Sequence, residues 1–247
     1  MTEKLGGGRR AMMLLMAVTG VLLTTYLGFW QLGRADEKLN LQAAKNQQAS
    51  QKLLDGRTLG GADDSVELRA ALIHRSMALT GQWLGQHTVY LENRQMNGKP
   101  GFFVLTPMRL DGTNVVILVQ RGWAQRAFTD RKALPSVQTP EGTVLVQGHL
   151  APWPSRLYDF GEGEPGPIRQ NLDFQAFQQE TGLQVLEVTL LQSGQASEGL
   201  LREWPVVASG VEKHHGYAFQ WFGLSALIAL LYVWFQIVQA RRRPQSI

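Results

Sequence analysis

The sequence predicts a membrane protein of the α+β class, with two transmembrane helices flanking a mainly antiparallel β extramembrane domain that carries short helices. Three observations predict this. Residues 11–32 (AMMLLMAVTGVLLTTYLGFWQL) and 217–238 (YAFQWFGLSALIALLYVWFQIV) hold no charge, and each has the roughly 20 residues a helix needs to cross the hydrocarbon core. Backbone entering lipid must satisfy its own hydrogen bonds, so both are read as helices. Between them lie short β-branched and aromatic runs separated by Gly, Asn and Asp, the pattern of hairpin-linked strands.

The expected organisation is a cytoplasmic N-terminus at 1–10 and a first span at 11–32. A periplasmic, mainly β domain with an N-terminal helical extension follows at 33–212. An interfacial histidine segment with the second span occupies 213–238, and a basic cytoplasmic tail 239–247. The first span has the basic start of a signal peptide, Lys4, Arg9 and Arg10, but runs on into Tyr26, Phe29 and Trp30 without a small-x-small cleavage site. An uncleaved anchor is expected. Lys4, Arg9 and Arg10 before the first span, with Arg241, Arg242 and Arg243 after the second, place both termini on the cytoplasmic side. No Arg- and Ser-rich transit peptide precedes the span, so the expected location is a bacterial inner membrane, crossed twice.

Charge follows the same plan. Residues 35–212 carry 16 Lys+Arg against 19 Asp+Glu, a net of −3, while the whole chain is +4. The basic balance is therefore a topology signal. With no basic stripe in the exported domain, a nucleic-acid role is excluded. The chain has no cysteine, which excludes disulfides and thiolate metal chemistry.

Residues 34–54, rich in Ala, Gln, Lys and Leu, extend the first helix or form a second one ending near Asp55-Gly56. Strands are predicted at 73–83 and 88–94. In the latter, Val89, Leu91 and Asn93 share one face and Tyr90, Glu92 and Arg94 the other. Asn97-Gly98 and Asp111-Gly112 supply turns on either side of a strand at 102–110. The run 115–119 (VVILV) reads as buried on both faces. Further strands are expected at 142–150 and 184–191, with an exposed Pro- and Gly-rich loop at 151–167. Asp173 caps a helix at 174–181 that Gly182 closes.

No Gly-x-Ser-x-Gly elbow, phosphate loop or His-Glu-x-x-His helix is present, so enzyme chemistry has no motif to rest on. His74, His87 and His149 lie on or beside separate strands, where a structural role is expected. His214 and His215 adjoin the second span. Neighbours on a helix project about 100° apart, so at most one can face a given ligand. An imidazole there either ligates a metal or haem iron or rests among headgroups. Gly28 and Gly223 are expected to let the spans approach closely, and Trp123 to pack in the β domain.

Four segments in register resemble the Surfeit locus protein 1 (Shy-type) family of cytochrome c oxidase assembly factors. They are Leu27-Gly28-Phe29-Trp30-Gln31-Leu32-Gly33-Arg34, then Asn93-Arg94…Gly98…Gly101-Phe102-Phe103-Val104-Leu105-Thr106-Pro107, then Val119-Gln120-Arg121-Gly122-Trp123, and His214…Tyr217-Ala218…Trp221-Phe222. Gln120 stands where the family usually has Asn, Glu37 where many members have Trp, and 161–173 matches poorly. The resemblance implies a non-enzymatic factor that binds haem a and assists its insertion into oxidase subunit I, with haem a synthase as a further partner. It selects His214 over His215 as the iron ligand. Tyr217, Trp221 and Phe222 would pack on the macrocycle or act as interfacial anchors. Arg34 would pair with a propionate or remain a solvated charge. The alternatives are a haem-free scaffold for an oxidase assembly intermediate and a membrane-tethered periplasmic hydrolase or sensor.

Overall fold

The computed structural model describes residues 4–61, 64–127, 130, 133–158, 166–204 and 210–238. Residues 159–165 of the expected Pro- and Gly-rich loop and the basic tail at 239–247 lie outside the described residues. The chain divides into two compact units, one of Met1–Ala44 with Val207–Ile247 and the other of Lys45–Val206.

The first unit is helical. Helix α1, Lys4–Ser50, is one uninterrupted element of 47 residues. The first apolar stretch and the Ala- and Gln-rich stretch after it therefore form a single helix, and Gly33 does not break it. Its end comes before the expected Asp55-Gly56, because Leu54 and Asp55 are drawn into the sheet as a parallel bridge to Met77 and Ala78.

The second unit is built on an eight-stranded sheet. Its elements are β1 (Leu54–Asp55), α2 (Val66–Ala71), β2 (Ser76–Trp83), β3 (Val89–Met96), β4 (Lys99–Leu110), β5 (Val116–Gln125), β6 (Thr143–Pro152), β7 (Ile168–Arg169), α3 (Phe174–Thr181) and β8 (Val185–Gln192). The strand order is β1-β2-β6-β8-β5-β4-β3-β7, with β2 also pairing β4. That extra pairing closes β2, β6, β8, β5 and β4 into a five-stranded barrel. Most pairings are antiparallel, but β5 and β8 run parallel.

Closure needs glycine. Gly81 is opposite Val144 of β6 and Leu110 of β4 at once, and a Cβ there would overlap the Arg109 carbonyl oxygen. Turn chemistry is as the sequence dictates. Asn97 (φ 51°) and Gly98 (φ 73°) form the two-residue turn between β3 and β4, and Asp173 caps α3 by accepting from the Ala176 amide. Helix α2 has no counterpart in the sequence reading; Ser65 caps it, and its six residues are too short for a periodic signal.

Within the run 115–119, Val116 to Val119 are buried throughout, as expected, while Val115, just ahead of β5, is half-buried. Ile117 and Val119 join Leu79, Met108, Val146, Leu150 and Leu190 in one core cluster. Val116 and Leu118 join Val89, Leu91, Leu105, Phe177 and Val185 in another, under α3. One strand thus serves two cores, and that is why its pattern does not alternate.

The expected facing of β3 is corrected by a bulge. The register shifts between Leu91 and Arg94, with Asn93 in the left-handed region at φ 58°. An extra residue flips the alternation. Asn93 is exposed, while Arg94 is turned inward to 8% exposure, donating to the Ser155 carbonyl at 2.9 Å.

At the other end of β5, Arg121 is fully buried. Its guanidinium donates to Glu198 Oε2 at 3.0 Å and Thr139 Oγ1 at 2.7 Å, and lies 4.6 Å over the Trp83 ring. Arg202 shares the same Glu198 carboxylate at 3.1 Å. Trp123 packs in the interior at 3% exposure and donates from Nε1 to the Arg94 carbonyl at 2.9 Å. His74 adopts φ 73°. Burial, then Lys45 and His149, hold its proton affinity below that of a free imidazole.

Two outcomes follow from this unit. Gly81→Val overpacks the closing strand, which typically costs about 1–3 kcal/mol. In a unit of this size each kcal/mol lowers the melting temperature by roughly 2–4 °C, readable by thermal denaturation of the full chain in detergent. For His74 the unfolded chain binds the proton more readily than the folded one. Its contribution to stability is therefore present above about pH 6.5 and is lost as pH falls through the lower folded value. His74→Asn, which tolerates the positive φ, should flatten the loss of guanidinium resistance between pH 7 and pH 5; an unchanged slope would refute the assignment.

Candidate functional site

The helical unit also contains α4, Val211–Val233, which continues as a π-helical turn at Trp234–Val238. By length and composition both α1 and α4 can cross a membrane. On α1, Met13, Ala17, Gly20, Thr24, Gly28, Gln31 and Ala35 recur every three or four residues and are buried or half-buried. On α4, Val211, His214, Ala218, Trp221, Phe222 and Ser225 do the same. Such spacing places each set on one stripe of its helix. The two stripes meet antiparallel.

The contacts along this seam are specific. Ile228 Cδ1 lies 3.4 Å from where a Cβ on Gly20 would be. Thr25 Oγ1 and Ser225 Oγ are hydrogen-bonded at 2.9 Å. Phe222 lies against Gly28, its Cε1 atom 2.6 Å from the position a Cβ would take, and meets Phe29 edge to face at 5.3 Å. Gly223, in contrast, has nothing within 4 Å. Of the two glycines expected to allow close approach, only Gly28 does so, because position 223 is rotated off the stripe.

Next along the seam comes His214, whose Nδ1 is 2.7 Å from Gln31 Oε1. His214 is half-buried and His215 exposed, as their angular separation requires. Gly210, in the left-handed region at φ 66°, starts α4, and its carbonyl accepts the His214 amide at 3.4 Å. With Nδ1 engaged, Nε2 is the ring atom left to act as a ligand.

The other sequence-selected residues are distributed as follows. Trp221 and Phe222 follow His214 by two helical turns on the same stripe, but the Phe222 ring is committed to Gly28 and Phe29. Tyr217 is 52% exposed, at the margin of the stripe. Arg34 is exposed and pairs with Glu37 at 2.6 Å, one turn along its own helix. Three features went unassigned in the sequence: the Gln31 acceptor, the Thr25–Ser225 hydroxyl pair, and Lys38, whose Nζ lies 3.2 Å from the position of a Cβ on Gly210. Gln31 lies within the first segment that carries the resemblance and is spaced seven residues after Thr24 and seven before Lys38, but neither signal assigns it an acceptor role. Among the described residues no group of three or more His, Cys, Asp or Glu side chains is placed to hold a metal. A metal at this seam would take a single imidazole from the chain.

A family model described as the SURF1 family matches residues 18–226, spanning most of α1, the whole sheet unit and α4 through Ala226. The chain is similar to a SURF1-like protein of Rickettsia bellii, 24% identical over 225 residues that cover 89% of this chain and 88% of the relative. It is similar also to a SURF1-like protein of Rickettsia felis, 26% identical over 228 residues covering 89% and 94%. The cytochrome oxidase assembly protein SHY1 of Saccharomyces cerevisiae is 26% identical over 122 residues, covering 49% of this chain and 30% of the yeast protein.

The seam can be tested by cross-linking, since the chain has no cysteine of its own. Thr25→Cys with Ser225→Cys should form an intramolecular disulfide under mild oxidation, seen as a mobility shift on non-reducing gels. Thr25→Cys with Phe219→Cys, where Phe219 is 80% exposed, should not.

Proposed function

The chain belongs to the SURF1 family, and from that membership we propose that it is an assembly factor for a haem-copper cytochrome oxidase, binding haem a through His214 and assisting its insertion into subunit I. The yeast relative is named for cytochrome oxidase assembly, which supports the first part. Assembly, and not catalysis, is the family's activity. The observation that carries the haem reading is the Nδ1 contact of His214 with Gln31 at 2.7 Å: an axial imidazole normally has its second nitrogen held by an acceptor.

The residue types fit the cargo. Haem a is a flat, strongly apolar macrocycle that carries a long hydrocarbon tail and two propionates, and His214 would hold its iron. A half-buried imidazole at the mouth of an apolar helix offers the ligand without exposing the hydrocarbon tail to water. Trp221 and Tyr217 supply aromatic surface beside it. Arg34 or Lys38, on α1 beyond Gln31, supplies positive charge for a propionate; Arg34 would have to exchange Glu37 for it. In this reading α1 and α4 are transmembrane, both termini are cytoplasmic in a bacterial inner membrane, and the sheet unit is periplasmic. There it docks oxidase subunit I and haem a synthase.

The test is a pigment analysis. The full chain, co-expressed with a haem a-synthesising pathway and purified in detergent, should give a haem a pyridine haemochrome. His214→Ala should lose most of that signal and His215→Ala retain it. A wild-type protein without haem a would overturn the carrier reading in favour of a haem-free scaffold. Equal pigment in wild type and His214→Ala would refute the ligand.

A further inference from the structure

We propose that Gln31 is the positioning residue of His214: its carboxamide oxygen holds the proton on Nδ1, so that the lone pair of the neutral ring is presented on Nε2. The purpose of this arrangement rests on the haem reading above; its existence does not. A neutral imidazole has one donor and one acceptor nitrogen. Gln31 Oε1, 2.7 Å from Nδ1, has lone pairs and no proton, so the ring must donate to it. Free neutral histidine in water favours the opposite tautomer, with the proton on Nε2 and that atom closed to a metal. The contact therefore selects the form that can ligate.

The acceptor is fixed in space as well as in chemistry. Gln31 sits one turn from Gly28, where the Phe222 ring pins the two helices, and two turns from the Thr25–Ser225 hydroxyl pair. A side chain on a packed helix seam holds its partner's ring plane better than one on a loop. The neighbouring side chains of α1 toward its C-terminal end, Arg34 and Lys38, are cations and cannot accept a proton from the ring. Glutamine is also neutral, so the ring stays an imidazole and is not drawn toward imidazolate character as a carboxylate partner would draw it.

The tautomer can be read without any haem. In the full chain in detergent, labelled with ¹⁵N-histidine and with the His214 signals assigned by comparison with His214→Asn, the neutral ring should show a protonated-type shift at Nδ1 and a lone-pair-type shift at Nε2. Gln31→Leu should move the population toward the Nε2-protonated form. Gln31→Glu, which keeps an acceptor at the same reach, should retain the wild-type tautomer and so controls for loss of the helix pair. A wild-type ring protonated on Nε2, with the carboxamide NH₂ donating to Nδ1 instead, would overturn the proposal; so would a Gln31→Leu spectrum identical to wild type.

With purified haem a added as the probe, Gln31→Leu should bind on the order of 10- to 100-fold more weakly. Gln31→Glu should bind as tightly as wild type with a more negative midpoint potential. Equal affinity in wild type and Gln31→Leu would remove the positioning role. Failure of the wild type to bind haem a, with the ¹⁵N pattern as expected, would overturn the carrier reading and leave the Gln31–His214 arrangement standing.

Discussion

Two helices can exchange hydrogen bonds between short side chains only if their backbones come close, and in the helical unit Gly28 is what permits it. The Phe222 ring occupies the space that any other residue at 28 would fill. With that contact made, Thr25 and Ser225 on one side and Gln31 and His214 on the other come within hydrogen-bond reach at 2.9 Å and 2.7 Å. Polar contacts between apolar helices average only about 0.6 kcal/mol each, with a maximum near 1.7. No single one holds the pair. The order of dependence runs from the missing side chain, through ring packing, to the polar contacts and so to the placement of the imidazole.

The sheet unit solves a different problem, a buried cation. Arg121 and Arg202 converge on Glu198, and Arg121 stacks on Trp83. Losing one partner of such a buried pair typically costs about 3–5 kcal/mol, because it strands the other charge. Glu198 reaches the pair from a left-handed conformation, φ 60°, in which a non-glycine residue is strained by about 1–3 kcal/mol. The ion pair acts there together with the backbone bridges Ser197–Leu200 and Leu201–Trp123 that flank Glu198.

Features set by neighbours in sequence were legible: the Asn97-Gly98 turn, the Asp173 cap with Gly182, the doubly buried run at the start of β5 and the apolar lengths of α1 and α4. Each depends on local conformational preference or on periodicity. The inward turn of Arg94 was not legible, because the bulge that causes it comes from pairing β3 with β4 and leaves no mark on alternation. Nor was barrel closure, which brings Gly81 against Leu110. At the seam, resemblance singled out His214, but its contact with Gln31 joins residues 183 positions apart. Gly223 misled because composition shows a small residue and not the direction it faces.

Closing five strands on themselves has a further consequence. An open sheet ends in rows of unused amide and carbonyl groups that recruit strands from other molecules. Here the sheet ends in β1 and β7, each only two residues long; each of the five barrel strands has a partner on both sides, and the outer edge of β3 is covered only at Tyr90 and Leu91. A protein held to a surface by apolar helices meets its own copies at far higher local density than a freely diffusing one. Barrel closure therefore leaves such copies few free strand edges through which to template one another.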